Sequence, residues 1–245
     1  MQTPLSNFET RLDNSYRERQ DPALTVLFKL KEPLKDGKPA HLAAWTTTPW
    51  TLPSNLALAV GPSFDYAILE KDGEHVVVAE ALVEAYATEL EAYEQVGSIT
   101  GAELAGRFYE PLFPFFADAQ NAFQVFAADY VTLESGTGIV HTAPAFGEDD
   151  MELGRANGLP LIAPVDDQGN FTSEVPPYQG MNIFDANKDI IKDLKADGVV
   201  LRHETYLHNY PHCWRTDTPL IYKAIDAWYV EVTAFKDRMV ELNQG

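Results

Sequence analysis

The sequence contains a single cysteine, Cys213, so no disulfide can form within the chain and a reducing compartment is expected. It has no apolar run near the roughly 18 residues that a membrane-spanning helix needs, and its N-terminus lacks a basic-then-apolar leader. These absences predict a cytoplasmic protein that does not contact a membrane. Internal repeats and low-complexity tracts are also absent.

Basic residues are scarce, with 18 Lys and Arg against 37 Asp and Glu, and the formal net charge is −19. A general nucleic-acid binder carries a basic face, and this composition disfavours that class. The charge leaves open a domain that handles only the tip of an RNA held by another part of a larger protein.

Several common catalytic patterns are missing. The glycines around Thr137 lack the spacing of a dinucleotide or phosphate loop, and no serine or carboxylate stands at triad spacing from His141. His208, His212 and Cys213 fall short of zinc-ligand number and spacing. We therefore expect no metal and no cofactor.

With 245 residues and 45% hydrophobic content, the chain can bury a full core as one large domain or two small ones. Alternating apolar residues and turn signals predict short strands over 23–30, 41–47, 56–60, 66–71, 75–79, 123–128, 138–142, 161–165, 199–205 and 227–232. Helical periodicity predicts helices over 79–95, with Gly97 as C-cap, 148–157 and 185–196. The expected fold is α+β, with a barrel-like sheet of short strands and interspersed helices.

Composition divides the chain into three parts. Residues 1–20 are polar without an apolar face and are expected to form an N-terminal linker. Residues 21–205 carry the periodic elements of the domain. Residues 206–245 begin with an aromatic and basic stretch and are expected to return the chain to a partner domain.

The first candidate stretch, Trp45–Asn55, holds four threonines within six residues, and a proline follows the third: Thr46, Thr47, Thr48 and Thr51. Pro49 stops ladder pairing, so the hydroxyls are expected at the rim of a sheet. Threonines are common in strands and often only pack or cap there. As a row, they can also position a water molecule and the oxygens of a ribose.

The second stretch, Gly136–Asp150, combines a glycine turn, a histidine and three acids. The glycines provide positive φ, and they also let a ligand approach the backbone. His141 is a candidate core residue, general base, hydrogen-bond donor or pocket wall. The acids Glu148, Asp149 and Asp150 suit the first turn of a helix, and one of them can instead face inward to bind an ammonium group.

Together, these stretches resemble the editing domain, or connective polypeptide 1, inserted in isoleucyl-tRNA synthetases. The matching segments are Trp45–Pro53 with Asn55, Gly136–Pro144, Gly147–Asp150, His212–Arg215 and Thr218–Tyr222. Leucyl and valyl relatives carry arginine-proline-acid where this chain has Pro49-Trp50, which favours the isoleucyl type. Relatives often have a second cysteine where this chain has Thr216, so the family's occasional zinc site is expected to be absent.

The resemblance implies hydrolysis of valine esters of isoleucine tRNA and of valyl-adenylate, because one methylene alone discriminates valine from isoleucine poorly. It implies that Asp150 holds the substrate ammonium group, while the threonines orient water and the ester. The implied catalytic residues are Thr47, Thr48, Thr51, His141 and Asp150. The implied substrate-binding residues are Thr46, Trp50, Asn55, Gly136, Gly138, Phe146 and Asp150.

The implied partners are the 3′ end of isoleucine tRNA carrying valine and the remainder of the synthetase. The ATP-binding signatures of that enzyme do not occur in this chain, which is expected to be a monomer. Two alternatives stay open: an editing domain of leucyl or valyl type, and a non-catalytic acidic docking module for a basic partner.

Overall fold

A computed structural model describes residues 4–6, 8–12, 15–34 and 36–244. Within them the strands are β1 (Tyr16–Lys29), β2 (Ala40–Thr46), β3 (Ala57–Val60), β4 (Asp65–Lys71), β5 (Glu74–Ala79), β6 (Glu94–Thr100), β7 (Gln124–Ala127), β8 (Ile139–Thr142) and β9 (Val200–Pro211). The α-helices are α1 (Gly101–Leu104), α2 (Glu148–Ala156), α3 (Ile183–Ala196) and α4 (Lys236–Asn243).

Strand β2 is the point at which the sheet divides. One edge pairs with β1 in antiparallel register over Leu24–Lys29. The other edge pairs first with β5, up to Leu42, and then with β8 at Trp45. Strands β4 and β6 continue the β5 branch, and β3 and β7 continue the β8 branch. The end of β2 therefore lies where the two branches separate.

The β8 branch closes into a barrel through the extended segment 107–110. This segment bonds to β7 through Val125 N–H and Arg107 C=O, and to the end of β1 through Glu110 N–H and Lys29 C=O. Hydrogen bonds therefore run around a ring formed by β1, β2, β8, β3, β7 and this segment. The predicted α+β fold with a barrel-like sheet is confirmed.

The barrel interior is apolar, as expected for strands with one buried face. Phe28, Tyr109 and Phe123 meet edge to face at its centre, with centroid distances of 5.4 and 5.9 Å. Helix α3 covers the barrel beside the turn that follows β2, and its buried side has the periodicity predicted for a helix. Its N-terminus is capped by the Asn182 side chain, which accepts from Phe184 N–H.

Most predicted elements occur within a few residues of their expected limits, but β1 begins at Tyr16, inside the stretch 1–20 that was expected to lack regular structure. Its first residues pair with the end of β9 and form a largely exposed two-stranded ribbon. Such a ribbon has polar residues on both faces, so it lacks the alternation of apolar and polar residues from which a strand is predicted. The domain boundaries at 20 and 205 fall within the ribbon and stay predictions.

The α-helix predicted over 79–95 is wrong. The chain forms two short 3₁₀ turns at Glu80–Leu82 and Glu84–Tyr86, and Gly97 lies within β6. Tyr86 and Leu90 are nevertheless buried together, so the apolar spacing was meaningful. Most of the backbone hydrogen bonds in this segment join residues three apart, as in a 3₁₀-helix. This geometry keeps the apolar side chains on the buried side without forming an α-helix.

Two predicted strands are also wrong. Residues 161–165 form only an isolated bridge, between Val165 and Phe171, and residues 227–232 contain no strand. Trp228 and Tyr229 are almost fully exposed, so these two large side chains do not pack against the described part of the chain. No helix in the described part of the chain has the length and apolarity to cross a membrane.

The turn before β8 fills the gap between the two branches of the sheet. Thr137 C=O accepts from Ala79 N–H at 2.9 Å, and Gly136 and Gly138 both have φ of +73°. A Cβ on Gly138 would lie 2.5 Å from the Ala79 Cβ, which is closer than packing permits. Glycine is therefore required here by both backbone conformation and contact distance.

Replacing Gly138 with alanine should destabilise the fold more than the same change at Gly180. Gly180 has φ of +77°, but a Cβ at this position would have no atom within 4 Å, so Gly180→Ala should cost only the conformational term of about 1 kcal/mol. Gly138→Ala adds a clash that costs a further ~1–3 kcal/mol. Urea unfolding of both variants measures the difference, and equal losses would contradict the packing role.

Candidate active site

Beyond β2 the chain makes a buried 3₁₀ turn over Pro49–Ser54, which places the threonine side chains together. Thr48 N–H donates to Thr46 Oγ1 at 3.0 Å. The hydroxyls of Thr46 and Thr48 are 3.2 Å apart, and those of Thr48 and Thr51 are also 3.2 Å apart. Thr51 donates to Thr48 C=O at 2.8 Å. These contacts form a continuous row of hydroxyls at the end of β2.

Asn55, which is buried next to the row of threonine hydroxyls, fixes the orientation of the His141 ring. Its Nδ2 donates to Ala57 C=O at 2.9 Å, and its Oδ1 accepts from the Tyr109 hydroxyl at 2.6 Å. Because a carbonyl can only accept, the amide cannot be flipped. The same Nδ2 lies 2.9 Å from His141 Nδ1 and therefore donates to it.

His141 is consequently held in one tautomer. Burial lowers its pKa to about 4, so the ring is neutral at neutral pH. Since Nδ1 accepts from Asn55, the single ring proton lies on Nε2. That nitrogen is 2.8 Å from Thr51 Oγ1 and donates to it. The hydroxyl row is thus anchored to the barrel core through Thr51, His141 and Asn55.

The opposite wall comes from the loop after β8 and the first turn of α2. Asp150, the third residue of α2, turns back and accepts from Ala143 N–H at 2.8 Å. Burial raises the pKa of its carboxyl to about 6, opposed by the Ala143 bond and aided by Asp149. Glu148 and Asp149 are exposed, as expected for acids at a helix N-terminus.

These walls line a half-open cavity of about 290 Å³. The predicted site residues that line it are Thr46, Thr47, Thr48, Thr51, Gly136, Gly138, His141, Phe146 and Asp150. Trp50 does not line the cavity but contacts Phe146 edge to face at 4.9 Å. Asn55 also lies outside the lining and acts through His141.

Outside the two candidate stretches, sequence reasoning missed three lining residues, Tyr130, Thr132 and Ser135, which lie in the loop before the glycine turn. Only the nearness of these hydroxyls to Gly136 could have indicated them. It also missed Tyr109, because a tyrosine among core residues gives no sequence signal for a bond to Asn55. Thr47 faces the cavity and makes no hydrogen bond within the described residues.

The residues considered for zinc have other contacts. His208 Nε2 lies 2.9 Å from Asp21 Oδ2, and His212 Nδ1 lies 2.8 Å from Tyr210 C=O. Cys213 is buried in a turn in which its N–H donates to Thr218 C=O. The expectation of no zinc at this connection stays a prediction.

Solved structures with the same architecture are editing domains. One is a CP1 domain designated GlLeuRS-CP1, with a TM-score of 0.57 and 14% identity over 74% of this chain and 98% of that one. Another is the editing domain of Plasmodium knowlesi (P. knowlesi) cytosolic leucyl-tRNA synthetase, with a TM-score of 0.55 and 12% identity over 78% and 97%. The fold is that of a class I synthetase editing domain.

The curated relatives of this chain are isoleucine–tRNA ligases. The chain is 56% identical over 247 residues to isoleucine–tRNA ligase of Rickettsia canadensis, covering 99% of this chain and 23% of that protein. It is 55% identical over 257 residues to the Corynebacterium diphtheriae enzyme, covering 99% and 24%. No family model matches the chain. The chain is therefore homologous to one segment of the isoleucine–tRNA ligases, and it spans about a quarter of their length.

Replacing Asp150 with asparagine should stabilise the fold at neutral pH. The folded chain holds the Asp150 proton more tightly than the unfolded chain does, so ionisation between pH ~4 and ~6 destabilises the native state. Asparagine retains an acceptor for Ala143 N–H and removes the buried charge, which should add on the order of 1–3 kcal/mol above pH 6. Thermal unfolding at pH 4.5 and 7.5 measures the gain, which should shrink at the lower pH.

Asp149→Asn is the matched control for that experiment. It removes the same charge from an exposed position in the first turn of α2, where an acid favours the helix dipole, and should cost about 0.5 kcal/mol. If both variants lose stability equally at pH 7.5, Asp150 does not carry a destabilising charge.

Proposed function

We propose that the chain is an editing domain that hydrolyses the ester of valine on isoleucine tRNA, and that it also accepts valyl-adenylate. The observation that carries this proposal is the cavity that brings the hydroxyl row, His141 and the half-buried Asp150 together. A docking module would need no polar cavity of this kind.

Substrate recognition is assigned to the two walls. A free α-ammonium group distinguishes an aminoacyl ester from most esters, and the Asp150 carboxylate offers it a charge-assisted hydrogen bond. The unbonded Thr47 hydroxyl and the rim of Thr46 and Thr48 face the oxygens of the terminal ribose. Phe146, supported by Trp50, and the ring of His141 limit the room for the amino-acid side chain.

The hydrolytic step is assigned to a positioned water rather than to a histidine base. His141 carries its proton on the nitrogen that faces Thr51 and already donates it, so that nitrogen has no lone pair to accept a proton. Among the open roles of His141, donor and wall fit this geometry. Thr51 holds Thr48 in place, and Thr47 and Thr48 then hold the water and the ester in a fixed relation, which lowers the entropic part of the barrier.

The proposed partners are the 3′ end of isoleucine tRNA and the remaining three quarters of the ligase. The −19 charge suits a domain that receives only the tip of an RNA held elsewhere. A monomer in the cytoplasm, with no cofactor for this reaction, completes the proposal.

The direct test compares deacylation of valyl and isoleucyl esters of isoleucine tRNA by this chain. The valyl ester should be hydrolysed at least about tenfold faster, since the extra methylene of isoleucine has to enter a confined cavity. Norvalyl and methionyl esters of leucine tRNA serve as controls for a leucyl-type site. Equal rates on the valyl and isoleucyl esters would contradict the proposed selectivity.

Two substitutions at His141 separate the donor role from a general-base role. Glutamine can place an N–H near the position of Nε2 but cannot accept a proton there, whereas alanine removes both. His141→Gln should therefore keep deacylation within about tenfold, and His141→Ala should lose roughly tenfold to a hundredfold. A glutamine variant as inactive as the alanine variant would favour the base.

Deacylation should also lose efficiency at low pH. The carboxylate form of Asp150 binds the ammonium group, so kcat/KM for the valyl ester should fall as pH decreases through about 6. Asp150→Asn should be weakly active, and its kcat/KM should not fall further at low pH. Asp149→Asn should keep the fall in kcat/KM seen in the wild type. If kcat/KM of Asp150→Asn still falls through about pH 6, the group that titrates is not Asp150.

A further inference from the structure

A second group of ligand-type side chains lies on the opposite branch of the sheet from the cavity. Asp36 belongs to the turn between β1 and β2, Glu70 to β4 and His75 to β5. Glu70 and His75 are direct cross-strand partners, and His75 N–H donates to Pro39 C=O beside the turn. One ligand atom from each of the three lies within 4.8 Å of the other two, the one such group among the described residues.

His75 is the unusual member of this group. Its side chain is 1% exposed, yet neither ring nitrogen makes a hydrogen bond within the described part of the chain. Leaving buried polar atoms unbonded costs about 1–3 kcal/mol, so this imidazole is held at an energetic disadvantage. Its Nε2 faces both carboxylates, at 3.2 Å from Asp36 Oδ2 and 3.8 Å from Glu70 Oε2.

These separations are within about 0.2 Å of the spacing of ligands around a small metal ion. Zinc binds nitrogen and oxygen ligands at about 2.0–2.2 Å in tetrahedral geometry, which places neighbouring ligand atoms about 3.3–3.6 Å apart. The two contacts of His75 lie on either side of that range. One imidazole and two carboxylates are a donor set that zinc accepts, and three protein ligands leave a fourth position for water.

Lys38 is the internal competitor at this position. Its Nζ bonds to Glu70 Oε1 at 2.6 Å and lies 3.9 Å from Asp36 Oδ2. The lysine bonds to Oε1 of Glu70, whereas the oxygen 3.8 Å from His75 Nε2 is Oε2, so the two groups use different oxygens of this carboxylate. The ammonium group still reduces the negative charge that would attract a cation.

We propose that Asp36, Glu70 and His75 form a zinc site that fastens the β1–β2 turn to the β4–β5 hairpin. Ligand spacing along the chain predicted no metal anywhere, and this proposal departs from that prediction. The three residues come from separate segments that only the fold brings together. The site is independent of the proposed editing reaction, so neither proposal depends on the other.

The test is calorimetric titration of the chain, purified with a chelator and then freed of it, with zinc chloride. The wild-type chain should bind one equivalent, and Glu70→Gln should weaken binding on the order of tenfold or more. Glu231→Gln removes the same charge from an exposed position far along the chain and should leave affinity unchanged. No saturable binding, or equal weakening by both variants, would show non-specific attraction to an acidic protein and overturn the site.

A lysine variant tests the same assignment in the opposite direction. Lys38→Met removes the competing ammonium and should tighten zinc binding several-fold, whereas Lys188→Met, on the exposed face of α3, should not. If both variants bind zinc more tightly by the same factor, the effect comes from net charge alone, and this result would count against the site.

His75→Gln should bind zinc as weakly as Glu70→Gln does. Because His75 is buried, circular dichroism checks that this variant folds. If it does not fold, Glu70→Gln and Asp36→Asn carry the test, since both positions are more accessible than His75. A folded His75→Gln variant that binds zinc like the wild type would overturn the assignment.

Thermal unfolding gives a second readout. A ligand that binds only the folded chain raises its melting temperature, so a given concentration of zinc should stabilise the wild type more than it stabilises Glu70→Gln. Zinc that stabilises both equally would place the bound ion elsewhere and overturn the assignment.

Discussion

The candidate site depends on one chain of hydrogen bonds that starts in the barrel core. Tyr109 and Ala57 hold the amide of Asn55, Asn55 sets the tautomer of His141, and His141 donates to Thr51. Each of these bonds is buried, where breaking a polar contact is costly. The hydroxyl row therefore has a fixed orientation before any substrate arrives, and this preorganisation is what a hydrolytic pocket with a positioned water requires.

The division of the sheet at β2 explains why the pocket forms where it does. The strand loses one neighbour and gains another near its end, and the glycine turn at 136–138 fills the gap between them. Asp150 then completes the opposite wall at a stability cost, because burial raises its pKa. A half-buried carboxylate with no cation partner among the described residues suits a ligand that brings its own positive charge.

Sequence reasoning found much of this site because its residues occur in two contiguous stretches with distinctive composition. It could not find Tyr130 or Tyr109, since neither has a local pattern and each reaches its position only through the barrel. The ribbon from Tyr16 was missed because polar residues on both faces remove the alternation that marks a strand. The segment 80–93 kept its helical spacing but formed tighter turns, a choice that apolar periodicity alone does not resolve.

The central claim is that His141 is a neutral hydrogen-bond donor with its proton on Nε2. Nitrogen-15 NMR of the histidine rings, followed from pH 5 to pH 8, tests this directly. The account predicts that His141 shows a protonated Nε2 and an unprotonated Nδ1 throughout, with no titration in this range because burial lowers its pKa to about 4. A proton on Nδ1, or a ring that titrates near pH 6.5, would contradict the account.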